Sequence, residues 1–195
     1  MPDYVYDAGL HDFADIARFK DKLNGQLYGI EPGNDGNRLI QTMIDKNAFG
    51  LKDFKIVESS EAAMLSQLKR ATRKNEWMLF LGWEPHPMNT RNKMKYLSGG
   101  DEYFGPNFGQ ATVYTNVRKD YLKECSNVGK LLQNMEFSLA MENQLMDAVL
   151  NQKHRAAAKA WLKANPAVLE GWVSGVSSRD GKDGLAMVSL RLAGQ

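Results

Sequence analysis

Residues 76–89 have the sequence EWMLFLGWEPHPMN, in which an apolar run leads into a bend that contains Gly82, Trp83 and two prolines. A short run rich in apolar and aromatic residues is typical of a buried strand. Glycine permits unusual φ angles and each proline fixes φ at about −65°, so the backbone after the strand is stiff and does not continue as a helix. The residues leave two interpretations of Trp83 open: a ligand-facing indole on a rigid mount, or a core aromatic residue that packs against its neighbours.

The sequence before this bend alternates predicted strands with predicted helices. Residues 26–30 and 55–57 are predicted strands, and apolar residues at helical spacing follow in residues 39–44 and 60–74. Strands that alternate with helices indicate βαβ units and a parallel sheet. Ligands of such sheets bind beyond the carboxyl ends of the strands, where the Trp83 bend lies.

A second polar turn follows the first predicted strand. Residues 31–37, EPGNDGN, precede a predicted helix, whose unpaired N-terminal amides suit an anionic or hydroxyl-bearing ligand. Neither the P-loop pattern nor GxGxxG is present. A plain strand-to-helix connection, in which Asn34 and Asp35 cap the helix, is the alternative. Since Asn34 and Trp83 each lie just past a predicted strand, both indicate the same crevice.

The rest of the chain is predicted to be mainly helical. Helical spacing also predicts a helix over residues 11–23, and residues 111–115 resemble a strand. Trp161 and Trp172 are predicted to be packing residues. Further helices are expected over residues 118–124, 128–135, 138–152, 154–164 and 166–172.

Composition excludes several classes of protein. The chain has 195 residues, and its 25 Lys and Arg against 23 Asp and Glu give a net charge of +2, so no nucleic-acid partner is expected. One cysteine, Cys125, excludes an internal disulfide and a multi-cysteine zinc site. No apolar run approaches about 20 residues and the N-terminus lacks signal-peptide features, so the chain as it stands is expected neither to span a membrane nor to direct its own export.

No pattern of catalytic residues is present. His11, His86 and His154 are far apart and match no metal-ligand spacing, and the GxSxG motif is missing. We therefore expect no enzyme activity, no metal and no cofactor. An enzyme that acts on an amine substrate in the same crevice remains an alternative, because acid and base residues can come together from distant positions.

The motifs at residues 31–37 and 82–89 resemble those of the substrate-binding proteins of ABC importers for choline, glycine betaine and related quaternary amines, and the choline-binding branch matches best. The similarity continues over nearly the whole chain, for example at residues 103–106, 112–115 and 127–132. It implies an α/β, type II periplasmic-binding-protein-like fold, with residues 1–84 as the second lobe and residues 85–195 as the helix-rich returning C-terminal half of the first lobe.

The resemblance also implies a binding site. Trp83 resembles one wall of an aromatic cage, Asn34 the residue that meets the hydroxyl or carboxylate end of the ligand, and Asp35 and His86 adjacent contacts. A quaternary ammonium has no N–H donor, so aromatic faces hold it by cation–π interaction. Each face contributes about 0.5–2 kcal/mol, whereas micromolar binding needs about 8 kcal/mol, so Trp83 alone does not suffice.

The chain departs from the family in length. The family's first lobe, which supplies the other cage walls, has no full counterpart here, so we expect weak binding or none by the isolated chain. Unpaired strand edges and apolar faces favour a homodimer formed by domain swapping.

The expected partners are choline, glycine betaine or carnitine and the importer permease, in the periplasm. A truncated or self-associating form without ligand binding is the alternative.

Overall fold

The computed structural model describes residues 1–194, which form two compact units. The first unit comprises residues 1–84 and 88–111, and the second comprises residues 85–87 and 112–194. The expected assignment of residues 1–84 and 85–195 to two lobes of a receptor stays a prediction.

The first unit contains a small sheet with helices around it. Its elements are α1 (Asp3–Asp7), a 3-10 helix (Phe13–Phe19), β1 (Gln26–Tyr28), α2 (Asp35–Asp45), a 3-10 turn (Ala48–Gly50), β2 (Lys55–Val57), α3 (Glu61–Lys74), α4 (Met88–Arg91), α5 (Asp101–Phe104) and α6 (Pro106–Gly109). The helix predicted over residues 11–23 is thus mainly a shorter 3-10 helix, which begins at a capping box between Asp12 and Asp15.

The sheet is parallel, as predicted. β1 pairs with β2 with Leu27 opposite Ile56. On the other edge of β1, the Tyr28 N–H donates to the Leu79 carbonyl at 2.9 Å and the Leu81 N–H donates to the Tyr28 carbonyl at 2.8 Å. The strand predicted over residues 76–81 is therefore a single parallel bridge between Tyr28 and Phe80, and β1 lies in the centre.

Helices cover both faces of this sheet, because successive strand residues point to opposite sides. Leu27 and Leu79 lie in one buried apolar cluster with three residues of α2, Ile40, Met43 and Ile44. Met78 lies in a second cluster, which also contains Ile30 and the α3 residues Met64, Leu68 and Ala71. Helical spacing in residues 60–74 predicts that Ala63, Met64, Leu68 and Ala71 face inward. The last three are buried, whereas Ala63 is exposed in the first turn of α3.

The second unit is helical in the part of the chain that the structure describes. It contains α7 (Tyr121–Glu124), α8 (Ser126–Asn134), α9 (Leu139–Asn151), α10 (His154–Ala164), α11 (Pro166–Trp172) and α12 (Gly184–Ala193). Trp161 is buried, and its indole stacks on that of Trp172 with ring centroids 6.2 Å apart, which confirms the predicted packing role.

The strand predicted at residues 111–115 is wrong. These residues are exposed and form no ladder with any described residue, so their backbone groups have no strand partner and water can solvate them. None of the helices within residues 1–194 has the length and apolar character needed to cross a membrane.

Candidate ligand-binding site

The carboxyl edge of the sheet in the first unit gathers three connecting segments. The turn 29–34 follows β1, residues 58–60 follow β2, and residues 82–84 follow the bridge at Phe80. The strands are parallel, so all three segments leave the sheet at the same edge. This is the edge of the sheet at which the sequence predicts a ligand-binding crevice.

Asn34 begins α2 as its N-cap. Its Oδ1 accepts a hydrogen bond from the Gly36 N–H at 2.8 Å, which confirms the predicted capping role. Within residues 1–194 the Asn34 Nδ2 group has no hydrogen-bond partner. The cap therefore uses the oxygen of the side chain and leaves two N–H donors for an acceptor on a ligand.

The Asn34 turn lies close to the segment that carries Trp83. A methyl group in place of the Gly36 hydrogen would lie 2.6 Å from Leu81 Cδ2, which is closer than atoms can approach. Glycine at this position lets the first turn of α2 pack directly on Leu81, two residues before Trp83. The structure thus brings the Asn34 turn next to the segment that leads into Trp83.

The Trp83 side chain is half-buried. It packs against the second apolar cluster, around Ile30 and Met64, and part of the side chain stays exposed. The indole is therefore neither sealed in the core nor free in solvent. A supported and partly open indole can serve as one wall of a cation site.

Two residues that sequence reasoning did not select hold the backbone of Trp83. Asn89 Nδ2 donates to the Trp83 carbonyl at 2.9 Å, and the Tyr96 hydroxyl donates to Asn89 Oδ1 at 2.9 Å. Burial, and secondarily the charge of Glu84, raise the pKa of Tyr96 well above its ordinary value, so the hydroxyl stays a donor. Asn89 lies in the bend of residues 82–89, but no local sequence pattern links it to Tyr96.

Asn37 is a second residue that the sequence did not reveal as important. Its side chain is 2% exposed. Its Oδ1 accepts from the Ile30 N–H at 3.0 Å, and its Nδ2 donates to Glu58 Oε1 at 3.1 Å. Asn37 thus joins the ends of β1 and β2 below the Asn34 turn. Gly29 makes this possible, because a methyl group there would overlap the Asn37 amide.

Glu31 connects the same turn to α3. Its Oε1 accepts from the Glu61 N–H at 3.0 Å, in the first turn of that helix. This hydrogen bond is the main reason why the pKa of Glu31 is lowered, since it favours the charged form.

The structure gives Asp35 and His86 different surroundings. Asp35 is exposed and forms an ion pair with Arg38 at 3.0 Å, one turn along α2. His86 lies in the second unit, where its backbone N–H donates to Oδ1 of the buried Asn143 at 2.7 Å. The ligand-binding roles of Asn34, Asp35, Trp83 and His86 stay predictions. Within residues 1–194 no group of three or more His, Cys, Asp or Glu side chains could hold a metal ion.

Residues 1–164 match the family described as the substrate binding domain of ABC-type glycine betaine transport system. The chain belongs to this family. It is a family of transport proteins and not of enzymes. This substrate-binding domain is 26% identical over 164 residues to the glycine betaine/carnitine transport binding protein GbuC of Listeria monocytogenes serotype 1/2a (strain 10403S), with 84% of this chain and 54% of the relative covered. The chain therefore spans about half the length of that relative.

Two solved structures extend the comparison. An ABC-transporter choline binding protein in complex with choline is 57% identical, with a TM-score of 0.69 and coverage of 96% of this chain and 66% of that one. Lactococcal OpuAC in its closed-liganded conformation with glycine betaine is 25% identical, with a TM-score of 0.59 and coverage of 84% and 62%. These likenesses confirm the predicted type II periplasmic-binding-protein-like α/β fold and the predicted family.

Proposed function

We propose that this substrate-binding domain binds choline, glycine betaine or carnitine in the periplasm and delivers the amine to the permease of an ABC importer. The observation that carries the proposal is the placement of Asn34 and the partly exposed Trp83 at one edge of the sheet. The choline-bound relative supports the choice of ligand class, since it is 57% identical over 96% of this chain.

In the proposed complex the Trp83 indole lies against the trimethylammonium group. One aromatic face contributes about 0.5–2 kcal/mol, which corresponds to a factor of about 2 to 30 in affinity. The chain covers 66% of the choline-binding relative, so further aromatic walls are expected to come from outside these residues. The chain by itself is expected to bind choline only weakly.

Asn34 is proposed to bind the other end of the ligand. Its Nδ2 can donate to a hydroxyl or a carboxylate oxygen, while its Oδ1 remains the helix cap. Asp35 is proposed as a secondary contact, and its ion pair with Arg38 implies that Asp35 acts only if this exposed pair opens. A ligand contact from His86 stays a prediction of the family resemblance.

The test is a titration of the chain with choline, glycine betaine and carnitine, followed by the NMR shifts of the tryptophan indoles. Trp83→Leu is expected to abolish the response, whereas Trp83→Phe keeps part of it because an aromatic face remains. Trp77→Leu is the matched control: Trp77 is also half-buried in the first unit, but it packs against the first apolar cluster. An equal loss in the Trp77 and Trp83 variants, or no response of the unaltered chain to any of the amines, would refute the proposal.

A self-associating form, including a domain-swapped homodimer, is the second candidate. The second unit exposes large apolar side chains, with Val113 at 90%, Tyr114 at 74%, Leu190 at 67% and Leu150 at 64% exposure. Such residues favour association with a second copy. Light scattering after size-exclusion chromatography at several concentrations is expected to show a dimer that dissociates on dilution. A monomer at every concentration contradicts this candidate.

A further inference from the structure

The backbone around Trp83 needs support from outside its own segment. Gly82 precedes Trp83 and Pro85 follows two residues later, so neither a helix nor a strand ladder fixes the indole. The Trp83 carbonyl is instead bonded to Asn89 Nδ2 at 2.9 Å, at the start of α4. This contact connects the bend to a helical turn six residues further along the chain.

The geometry fixes which way the Asn89 amide faces. A carbonyl oxygen only accepts hydrogen bonds, so the Trp83 carbonyl requires the Nδ2 end of Asn89. The Oδ1 end then faces Tyr96, whose hydroxyl must donate to it, at 2.9 Å. Tyr96 therefore holds Asn89 in the orientation that Trp83 needs.

Gly82 provides the space for this arrangement. A methyl group at position 82 would lie 3.2 Å from Tyr96 Cε1 and 3.4 Å from Met94 Cε. The φ angle of Gly82 lies outside the positive region, so the close approach to Tyr96, and not the backbone conformation, explains a glycine here.

We infer that Tyr96 and Asn89 are positioning residues that set the indole of Trp83 for ligand binding; we refer to them as the Tyr96–Asn89 brace. The inference rests on the proposed role of Trp83 as a wall of the binding site. A cation–π contact weakens when the ring moves, and a ring held in place beforehand loses less entropy on binding. Neither residue is expected to contact the ligand.

The test removes one hydroxyl group and follows the ring of Trp83. In the full chain labelled with ¹⁵N at the indoles, Tyr96→Phe is expected to shift and broaden the Trp83 resonance and to weaken choline binding about three- to tenfold, as expected for one buried hydrogen bond. Asn89→Asp keeps the acceptor for Tyr96 but removes the donor to Trp83, and should have the larger effect. Tyr103→Phe is the control, because the Tyr103 hydroxyl has no hydrogen-bond partner among the described residues.

The outcomes separate the brace from the proposed function. A Trp83 resonance unchanged in both Tyr96→Phe and Asn89→Asp overturns the brace, as does an equal change in Tyr103→Phe. If the unaltered chain gives no response to choline, the proposed function fails. The Trp83 indole resonance in Tyr96→Phe and Asn89→Asp then shows by itself whether the Tyr96–Asn89 brace positions the ring. An altered indole resonance with unchanged choline affinity also overturns the inference, because the brace would then not act on binding.

Discussion

Replacement of Asn37 by alanine is expected to destabilise the first unit and to loosen the turn that carries Asn34. The Asn37 side chain is buried, with 2% of its surface exposed. Its Oδ1 accepts from the Ile30 N–H at 3.0 Å, and its Nδ2 donates to the carbonyls of Ile30 at 3.0 Å and Glu31 at 3.1 Å and to Glu58 Oε1 at 3.1 Å.

The size of the effect depends on which groups lose their only partner. The Ile30 carbonyl also accepts from the Ser59 N–H at 3.0 Å, and the Glu31 carbonyl also accepts from the Asn34 N–H at 3.1 Å, so both stay paired. The exposed carboxylate can return to water. Only the buried Ile30 N–H is left without a partner, which costs about 1–3 kcal/mol in free energy of unfolding, and the loss of the other hydrogen bonds adds about 1 kcal/mol. The expected loss in free energy of unfolding is about 2–4 kcal/mol.

The assay combines urea denaturation with amide hydrogen exchange at Ile30. In Asn37→Ala the urea midpoint should fall and the Ile30 amide should exchange faster than in the unaltered chain. Asn151→Ala is the matched control, because Asn151 is exposed and, among the described residues, its side chain bonds only within α9, to the Asp147 carbonyl at 2.9 Å. Its effect should stay within about 0.5 kcal/mol. Unchanged Ile30 protection and an unchanged midpoint in Asn37→Ala would show that the four hydrogen bonds do not support the turn.

Three further predictions concern the same edge of the sheet. The pKa of the Glu31 carboxyl is lowered in the folded chain, so the charged carboxylate stabilises the fold above the ordinary pKa of 4.5, and this stabilisation is lost as the pH falls through the folded pKa. The Glu31→Gln variant should therefore lose less free energy of unfolding than the unaltered chain between pH 7 and acid pH. An equal loss would contradict the hydrogen bond from the Glu61 N–H. Gly29→Ala should displace the Asn37 amide and mimic Asn37→Ala in the exchange of Ile30, whereas a stability equal to that of the unaltered chain would exclude the predicted overlap. Asn34→Ala should lose about 0.5–2 kcal/mol of stability because the helix cap is removed, whereas Asn34→Ser should lose almost none because serine can also cap a helix. Both variants lack the Nδ2 donor, so both should bind amines equally weakly. Stronger binding by the serine variant, compared at the same folded fraction, would contradict the role of Nδ2.

Much of the first unit could be predicted because the signals are local. Short apolar runs identified β1 and β2, and apolar residues at helical spacing identified α2 and α3. The cap at Asn34 follows from its position before an apolar helical run. The two motifs could be assigned to one edge since parallel strands all end there. The strand predicted at residues 111–115 from the same kind of local pattern is wrong. A strand needs a partner strand, which the segment itself does not specify.

The sequence by itself determined the βαβ order, the helix caps and the position of Asn34 and Trp83 just past their strands, because each depends on neighbours within a few residues. Only the tertiary structure decided which groups support these residues. Asn37 donates a hydrogen bond to Glu58, 21 residues further along the chain, and Gly36 packs against Leu81. Such contacts depend on how elements pack in three dimensions, and a buried amide is specified by the unpaired groups around it and not by its neighbours in the chain.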